Sequence, residues 1–158
     1  MKIGFYAGSF DPFTIGHLHA VKLASELFDK VVVGIGINPA KKRRFDKERM
    51  KKAIELTLKA NKLKNTEVVI YDGYTVHKAK EMGATFLVRG LRNSEDFEIE
   101  ESLAKTNKEI SGMETLYFRA VDEKYVSSSM VYSMMMKNED VSAYVPKQVI
   151  DAIKKEDV

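Results

Sequence analysis

The 158-residue chain contains no cysteine, only three prolines, and no apolar run approaching the ~20 residues of a membrane-spanning helix. Each absence removes options. Without cysteine there is no thiol nucleophile, no thiolate-ligated zinc and no disulfide scaffold, which agrees with a reducing compartment. The opening residues, MKIGFYAGSF, hold neither an apolar stretch of signal-peptide length nor a small-residue cleavage site. A soluble, cytoplasmic protein that does not act at a membrane is therefore expected. Charge of either sign is also nearly balanced. The net +3 is too small for a nucleic-acid binder, and much of it lies in the run Lys41-Lys42-Arg43-Arg44. Lys42, Arg43 and Arg44 are expected to face solvent, while Lys41 offers a cationic edge for an anionic substrate.

What the sequence does have is an ordinary globular composition, 44% hydrophobic and 31% charged, in a length able to bury a core unaided. No repeat, linker or low-complexity tract divides it, so one domain over residues 1–158 is expected. Lys2–Ala7, Val31–Ile37, Glu67–Tyr71, Thr85–Val88 and Thr115–Phe118 read as strands, nearly continuously apolar as strands covered on both faces should be. Helical patterns alternate with them. Met50, Ala53, Ile54, Thr57 and Leu58 form a stripe behind Asp46 as N-cap; Thr75–Met82 stops at Gly83; a further helix runs from Ser94 to about Ile110; and Pro146 opens Lys147–Lys155. This alternation predicts an α/β fold, a Rossmann-like doubly wound five-stranded parallel sheet with helices on both faces. Ligands of such sheets bind at the carboxyl ends of the strands.

Those ends carry the chemistry. The first strand runs into GSFDPFTIGH, residues 8–17, and a helix follows at once. Gly8 permits close backbone approach, Ser9 offers a hydroxyl, and His17 falls in the first helical turn, where free N–H groups and the helix dipole favour an anion. Such a short motif is common by chance, and a lone histidine there is often structural; its place between strand and helix gives it weight. The second strand leads to Lys41, a mobile point charge for phosphate. The fourth ends in Arg89-Gly90-Leu91-Arg92, two guanidinium forks expected to clamp anions. After the fifth comes Tyr125-Val126-Ser127-Ser128-Ser129, hydroxyls that either cap a helix or meet a polyphosphate. Four of five strand ends converge on phosphate-type chemistry. Met134-Met135-Met136 reads as packing, and His19 and His77 as structural or surface residues.

GSFDPFTIGH resembles the first motif of the nucleotidyltransferase superfamily. RGLRNSEDFEIE at Arg89–Glu100, VSSS and DVSAYVP resemble signatures of bacterial phosphopantetheine adenylyltransferases, over nearly the whole chain. The resemblance implies transfer of AMP from ATP to 4′-phosphopantetheine. Ser9, Phe10, His17, Gly90, Leu91, Arg92, Glu100 and the stretch Glu123, Lys124, Tyr125, Val126, Ser127, Ser128 and Ser129 would then bind ATP. Ser9, Lys41, Thr75, Arg89 and Asn107 would bind the acceptor, and the assembly would be a homo-hexamer. This sequence departs from the family pattern in Ser9 for threonine, Ala7 for proline, and Lys41-Lys42-Arg43 for K-K-P.

The implied chemistry needs no general base and no covalent enzyme intermediate, because a phosphate is already a competent nucleophile. His17 and Lys41 would be the catalytic pair, offsetting charge on the α-phosphate, and Mg²⁺ would arrive with the nucleotide rather than in a carboxylate cage. Nicotinamide-mononucleotide adenylyltransferases and cytidylyltransferases share the first motif but not RGLR with DFE-x-E. Aminoacyl-tRNA synthetases need domains for which 158 residues leave no room. A nucleotide sensor without chemistry would need neither the histidine nor a second anion site.

Overall fold

The computed structural model describes residues 1–120, 122 and 124–156. In chain order the elements are β1 (Ile3–Gly8), α1 (Ile15–Leu27), β2 (Lys30–Gly36), α2 (Lys47–Ala60), β3 (Thr66–Tyr71) and α3 (Thr75–Glu81); β4 (Phe86–Leu91), α4 (Ser94–Ser111), β5 (Glu114–Arg119), α5 (Ser128–Met136) and α6 (Lys147–Glu156) follow. The five strands form one parallel sheet in the order β3-β2-β1-β4-β5. The chain winds outward from β1 through β2 to β3, then returns to the other side of β1 for β4 and β5. The reversal opens a crevice between β1 and β4 at their carboxyl ends, where ligands of doubly wound sheets lie. The expected Rossmann-like fold is the one observed.

Alternation along the strands splits the core between two faces. Phe5, Val32 and Leu87 pack with Val76 and Ala79 of α3 on one face. Tyr6, Val31, Val33 and Val88 pack with α1, α2 and α6 on the other. Covering both faces accounts for the continuous apolar runs. The α2 stripe lies as expected: Met50, Ala53, Ile54, Thr57 and Leu58 are its buried residues, and the Asp46 carboxylate caps it by accepting from the Arg49 N–H at 2.9 Å. Gly83 ends the α3 turn with φ +80°, a conformation that suits glycine.

The fourth strand departs from expectation. It continues past Val88 to Leu91, because Arg89 and Gly90 pair with Tyr117 and Phe118 of β5 although neither extends the apolar run. Every other element end agrees with the sequence reading to within one residue. Met134 and Met135 pack against the core, whereas Met136 is exposed. α4 buries none of its residues and leaves Phe97, Ile99, Leu103 and Ile110 exposed.

Candidate active site

The loop after β1 is built around two residues. Phe10 adopts a left-handed backbone, φ +46°, which plants its ring in the core against Tyr6, Phe13 and His17. Phe10, expected at the nucleotide, also lines the first cavity at the carboxyl edge. Thr14 then caps α1 through a reciprocal box. The His17 N–H donates to Thr14 Oγ1 at 3.3 Å, and the Thr14 N–H donates to His17 Nδ1 at 2.9 Å. Nδ1 is thus an acceptor, so the ring proton sits on Nε2. Burial, reinforced by the Arg89 and Arg92 charges, lowers the His17 pKa to about 3. His17 is a neutral imidazole with one N–H donor free of the cap.

Two cavities of about 240 Å³ each open at the carboxyl edge. The first lies over Gly90 and Gly16, with Ser9, His17, Arg92, Tyr125, Ser127 and Ser128 around it. The second holds Thr75, Leu103, Asn107 and Thr115. Ala7, Arg89 and Glu100 line both and form their common wall. Asp96 and Glu100 stand four residues apart on one face of α4, and each meets an arginine of the β4 end. Glu100 accepts from Arg89 Nε at 2.7 Å and Nη2 at 2.6 Å, while Arg89 Nη1 donates to the Ala7 carbonyl. Burial works to lower the Arg89 pKa, but the bonds and charge of Glu100 outweigh it and raise the value. Asp96 accepts from Arg92 Nε at 2.9 Å and Nη2 at 3.1 Å. The forks expected as open anion clamps are therefore braced by carboxylates. Glu100, expected at the nucleotide, braces Arg89.

Ser9, His17, Gly90, Arg92, Glu100, Tyr125, Val126, Ser127 and Ser128 gather at the first cavity, and Thr75, Arg89 and Asn107 at the second. Leu91, Lys124 and Ser129 line neither. The Leu91 carbonyl accepts from the Ala120 N–H at 2.8 Å, Lys124 Nζ lies 5.6 Å from the Tyr125 ring centre, and Ser129 Oγ accepts from Arg44 at 3.0 Å. Glu123 lies outside the described residues. The other serines are partly committed: Ser127 Oγ caps α5 by accepting from the Met130 N–H, and Ser128 Oγ donates to the Pro12 carbonyl. Lys41 is exposed, its N–H closing a turn onto the Asn38 carbonyl, and it lines neither cavity.

Arg43 is only partly exposed, against the expectation of a solvated run, whereas Lys42 and Arg44 are exposed as expected. Arg43 donates to the Ser9, Phe10 and Phe45 carbonyls, and Arg44 to the Asp11 carbonyl, so both strap the loop onto the first motif. His19 and His77 also have partners: His19 stacks on Tyr125 at 4.9 Å and its Nε2 meets the Arg119 carbonyl, while His77 lies against Tyr74. Sequence reasoning missed Thr14 and Asp96. Thr-x-x-His has capping-box spacing, and acids at i and i+4 after two arginines mark a brace, so both carried a signal. Thr115 Oγ1, at the second cavity, is a sealed hydroxyl with no hydrogen-bond partner among the described residues. Thr115→Val should remove that desolvation penalty and raise stability by about 1 kcal/mol in thermal unfolding; a loss of stability would show that the hydroxyl is satisfied.

A parallel doubly wound sheet with a capped histidine and arginines at its switch point defines a nucleotidyltransferase-type domain, and the cytidylyltransferase-like family model matches residues 5–133. The phosphopantetheine adenylyltransferase of Leuconostoc citreum is 44% identical over 156 residues, covering 98% of both chains. That of Lachnoclostridium phytofermentans is 40% identical over 155 residues, covering 97% of this chain and 94% of its own. The chain belongs to the phosphopantetheine adenylyltransferase family. Among solved structures, a Vibrio parahaemolyticus protein assigned as a nicotinate-nucleotide adenylyltransferase superposes with a TM-score of 0.69 at 16% identity, covering 97% and 99% of the two chains. At that identity the likeness concerns the fold alone.

Proposed function

We propose that the chain transfers the adenylyl group of ATP to 4′-phosphopantetheine, forming dephospho-coenzyme A and pyrophosphate. The observation that carries this reading is the pair of adjoining cavities with Arg89 in their shared wall. A glycine-floored cavity edged by donors suits a nucleotide. The second, with Leu87, Leu103 and Ala104 beside Thr75 and the Asn107 amide, suits a long neutral arm carrying amides. Arg89 has five N–H groups, of which three are bonded, leaving one on Nη1 and one on Nη2 for the acceptor phosphate.

In the transfer, an acceptor phosphate oxygen forms a bond to the α-phosphorus as the bond to the bridging oxygen breaks. Pyrophosphate leaves with that electron pair. The neutral His17 Nε2–H would donate to a non-bridging α-oxygen, and Arg92 with the α5 N-terminus would hold the departing phosphates. Exposed Lys41, on its mobile four-carbon stem, would swing onto the acceptor phosphate.

Mg²⁺ fits no resident site: among the described residues no three candidate ligands cluster, and the cavity carboxylates Asp96 and Glu100 are engaged by arginines. The ion would arrive on the nucleotide phosphates, whose charge it offsets. The exposed apolar side chains of α4 support a homo-oligomer, a hexamer by the family resemblance. No helix of the described residues is long and apolar enough to cross a membrane, and we place the enzyme in the cytoplasm.

Pyrophosphate release from ATP and Mg²⁺ should require 4′-phosphopantetheine and fail with nicotinamide mononucleotide. Release with the mononucleotide alone would keep the chemistry and discard the acceptor. Release with neither would leave a nucleotide-binding protein without transfer activity.

A further inference from the structure

Tyr6 lies in β1, two residues before Gly8, and is only 4% exposed. Among the described residues no hydrogen bond reaches its hydroxyl, although the side chain lines the first cavity. The hydroxyl is 4.0 Å from the point where a Cβ on Gly90 would stand, and no protein atom outside Gly90 and its chain neighbours comes nearer to that point than 3.8 Å. It therefore borders the open space over the cavity floor. The ring is buried, but the hydroxyl itself is not sealed and stays accessible from the cavity. The fold retains a donor it does not itself use.

The ring's surroundings say what the donor faces. Tyr6 and His17 both stand edge-on to the Phe10 ring, at 5.2 Å and 78° and at 4.9 Å and 88° between ring centres and planes. Their own ring centres are 6.3 Å apart. Phe10 is thus a shared platform from which two polar tips, the phenol hydroxyl and Nε2–H, enter one cavity side by side. Arg89 and Arg92 line the same cavity and bias it toward an anion.

We propose that the Tyr6 hydroxyl donates a hydrogen bond to the α-phosphate of the bound nucleotide, as a second neutral donor beside His17. This rests on the nucleotide reading of the first cavity. Burial pushes the Tyr6 hydroxyl up to about 12, so it stays protonated and can only donate to an oxygen that only accepts. Two neutral donors stabilise developing charge without themselves exchanging a proton.

Tyr6→Phe keeps the ring and removes only the hydroxyl, so its melting temperature should equal or exceed that of the unsubstituted protein. The affinity for ATP, read by calorimetry, should fall by about tenfold to a hundredfold, the range for a bond to a charged acceptor. Affinity for adenosine, which has no phosphate, should be unchanged. The KM for the acceptor should hold. ATP binding and turnover within twofold of the parent would overturn the proposal. So would an equal loss for adenosine and ATP, which would move the contact to the nucleoside. Failure of the unsubstituted protein to bind ATP would overturn the nucleotide reading itself, and it is read in a separate sample.

Discussion

His17→Ala and His17→Asn are both expected to lower turnover by about 10²–10³-fold, while differing in stability. The structure separates the two nitrogens of this ring. Nδ1 accepts from the Thr14 N–H and closes the α1 cap, whereas Nε2–H is left for the cavity. Alanine removes both functions. Asparagine places Oδ1 where Nδ1 stood and has no atom at the Nε2 position, so it should preserve the cap, worth about 0.5–2 kcal/mol. The asparagine variant should therefore melt near the parent and turn over as slowly as the alanine variant. An asparagine variant within tenfold of the parent rate would remove His17 from the chemistry and leave it as a cap residue.

The same ring sets a pH dependence. Its folded pKa, about 3, lies below the ordinary histidine value of 6.5, so the folded state binds fewer protons than the unfolded state between those values. Stability from the neutral ring is fully present above pH 6.5 and is lost as pH falls toward 3, by at most about 1.4 kcal/mol per unit. Denaturant midpoints of His17→Asn should fall less steeply across that window. Turnover, by contrast, should show no histidine inflection near 6.5. A decline near pH 6 would belong to the second ionisation of the acceptor phosphate.

The backbone of this site was legible because its causes are local. Apolar runs broken by turns gave the five strands, the Met50-to-Leu58 stripe gave α2 and its buried face, and Gly83 marked a turn that glycine suits. Placement of GSFDPFTIGH between strand and helix located the crevice. The direction of the long cationic side chains was not legible, because it is decided by partners distant in sequence. Arg43 is tethered to Ser9 and Phe10 across more than thirty residues, and Arg89 to Glu100 across a strand–helix turn. A run such as KKRR carries no record of which of its members turns inward. Many residues at the site could be read, but Thr14, Asp96 and Tyr6 were missed, and the division between binding and bracing could not be read. Tyr6 is the sharpest case, since in sequence it is one more apolar member of a buried strand.

Asp11→Ala should destabilise the fold by about 3–5 kcal/mol, a large share of the 5–15 kcal/mol that holds a typical domain together. Asp11 is 8% exposed, and its carboxylate accepts from the Arg44 N–H at 2.8 Å and the Phe45 N–H at 2.9 Å. It also pairs with Arg43 Nη2 at 3.5 Å. Truncation strands two amide donors, one of them on buried Phe45, and removes the anion facing a largely buried guanidinium. The damage should reach the site, because Arg43 is what grips the Ser9 and Phe10 carbonyls. Phe10 at φ +46° stores strain on the order of 1–3 kcal/mol that these contacts offset. Released, the loop should lose the platform under Tyr6 and His17, and the KM for ATP should rise with the loss of stability. Asp11→Asn retains one acceptor oxygen but presents an amide N–H to a backbone N–H, so it should fall between alanine and the parent. Urea unfolding of the three proteins gives the order directly. An alanine variant within 1 kcal/mol of the parent would mean that the strap is incidental, and that the loop after β1 holds its shape through the Phe10 ring alone.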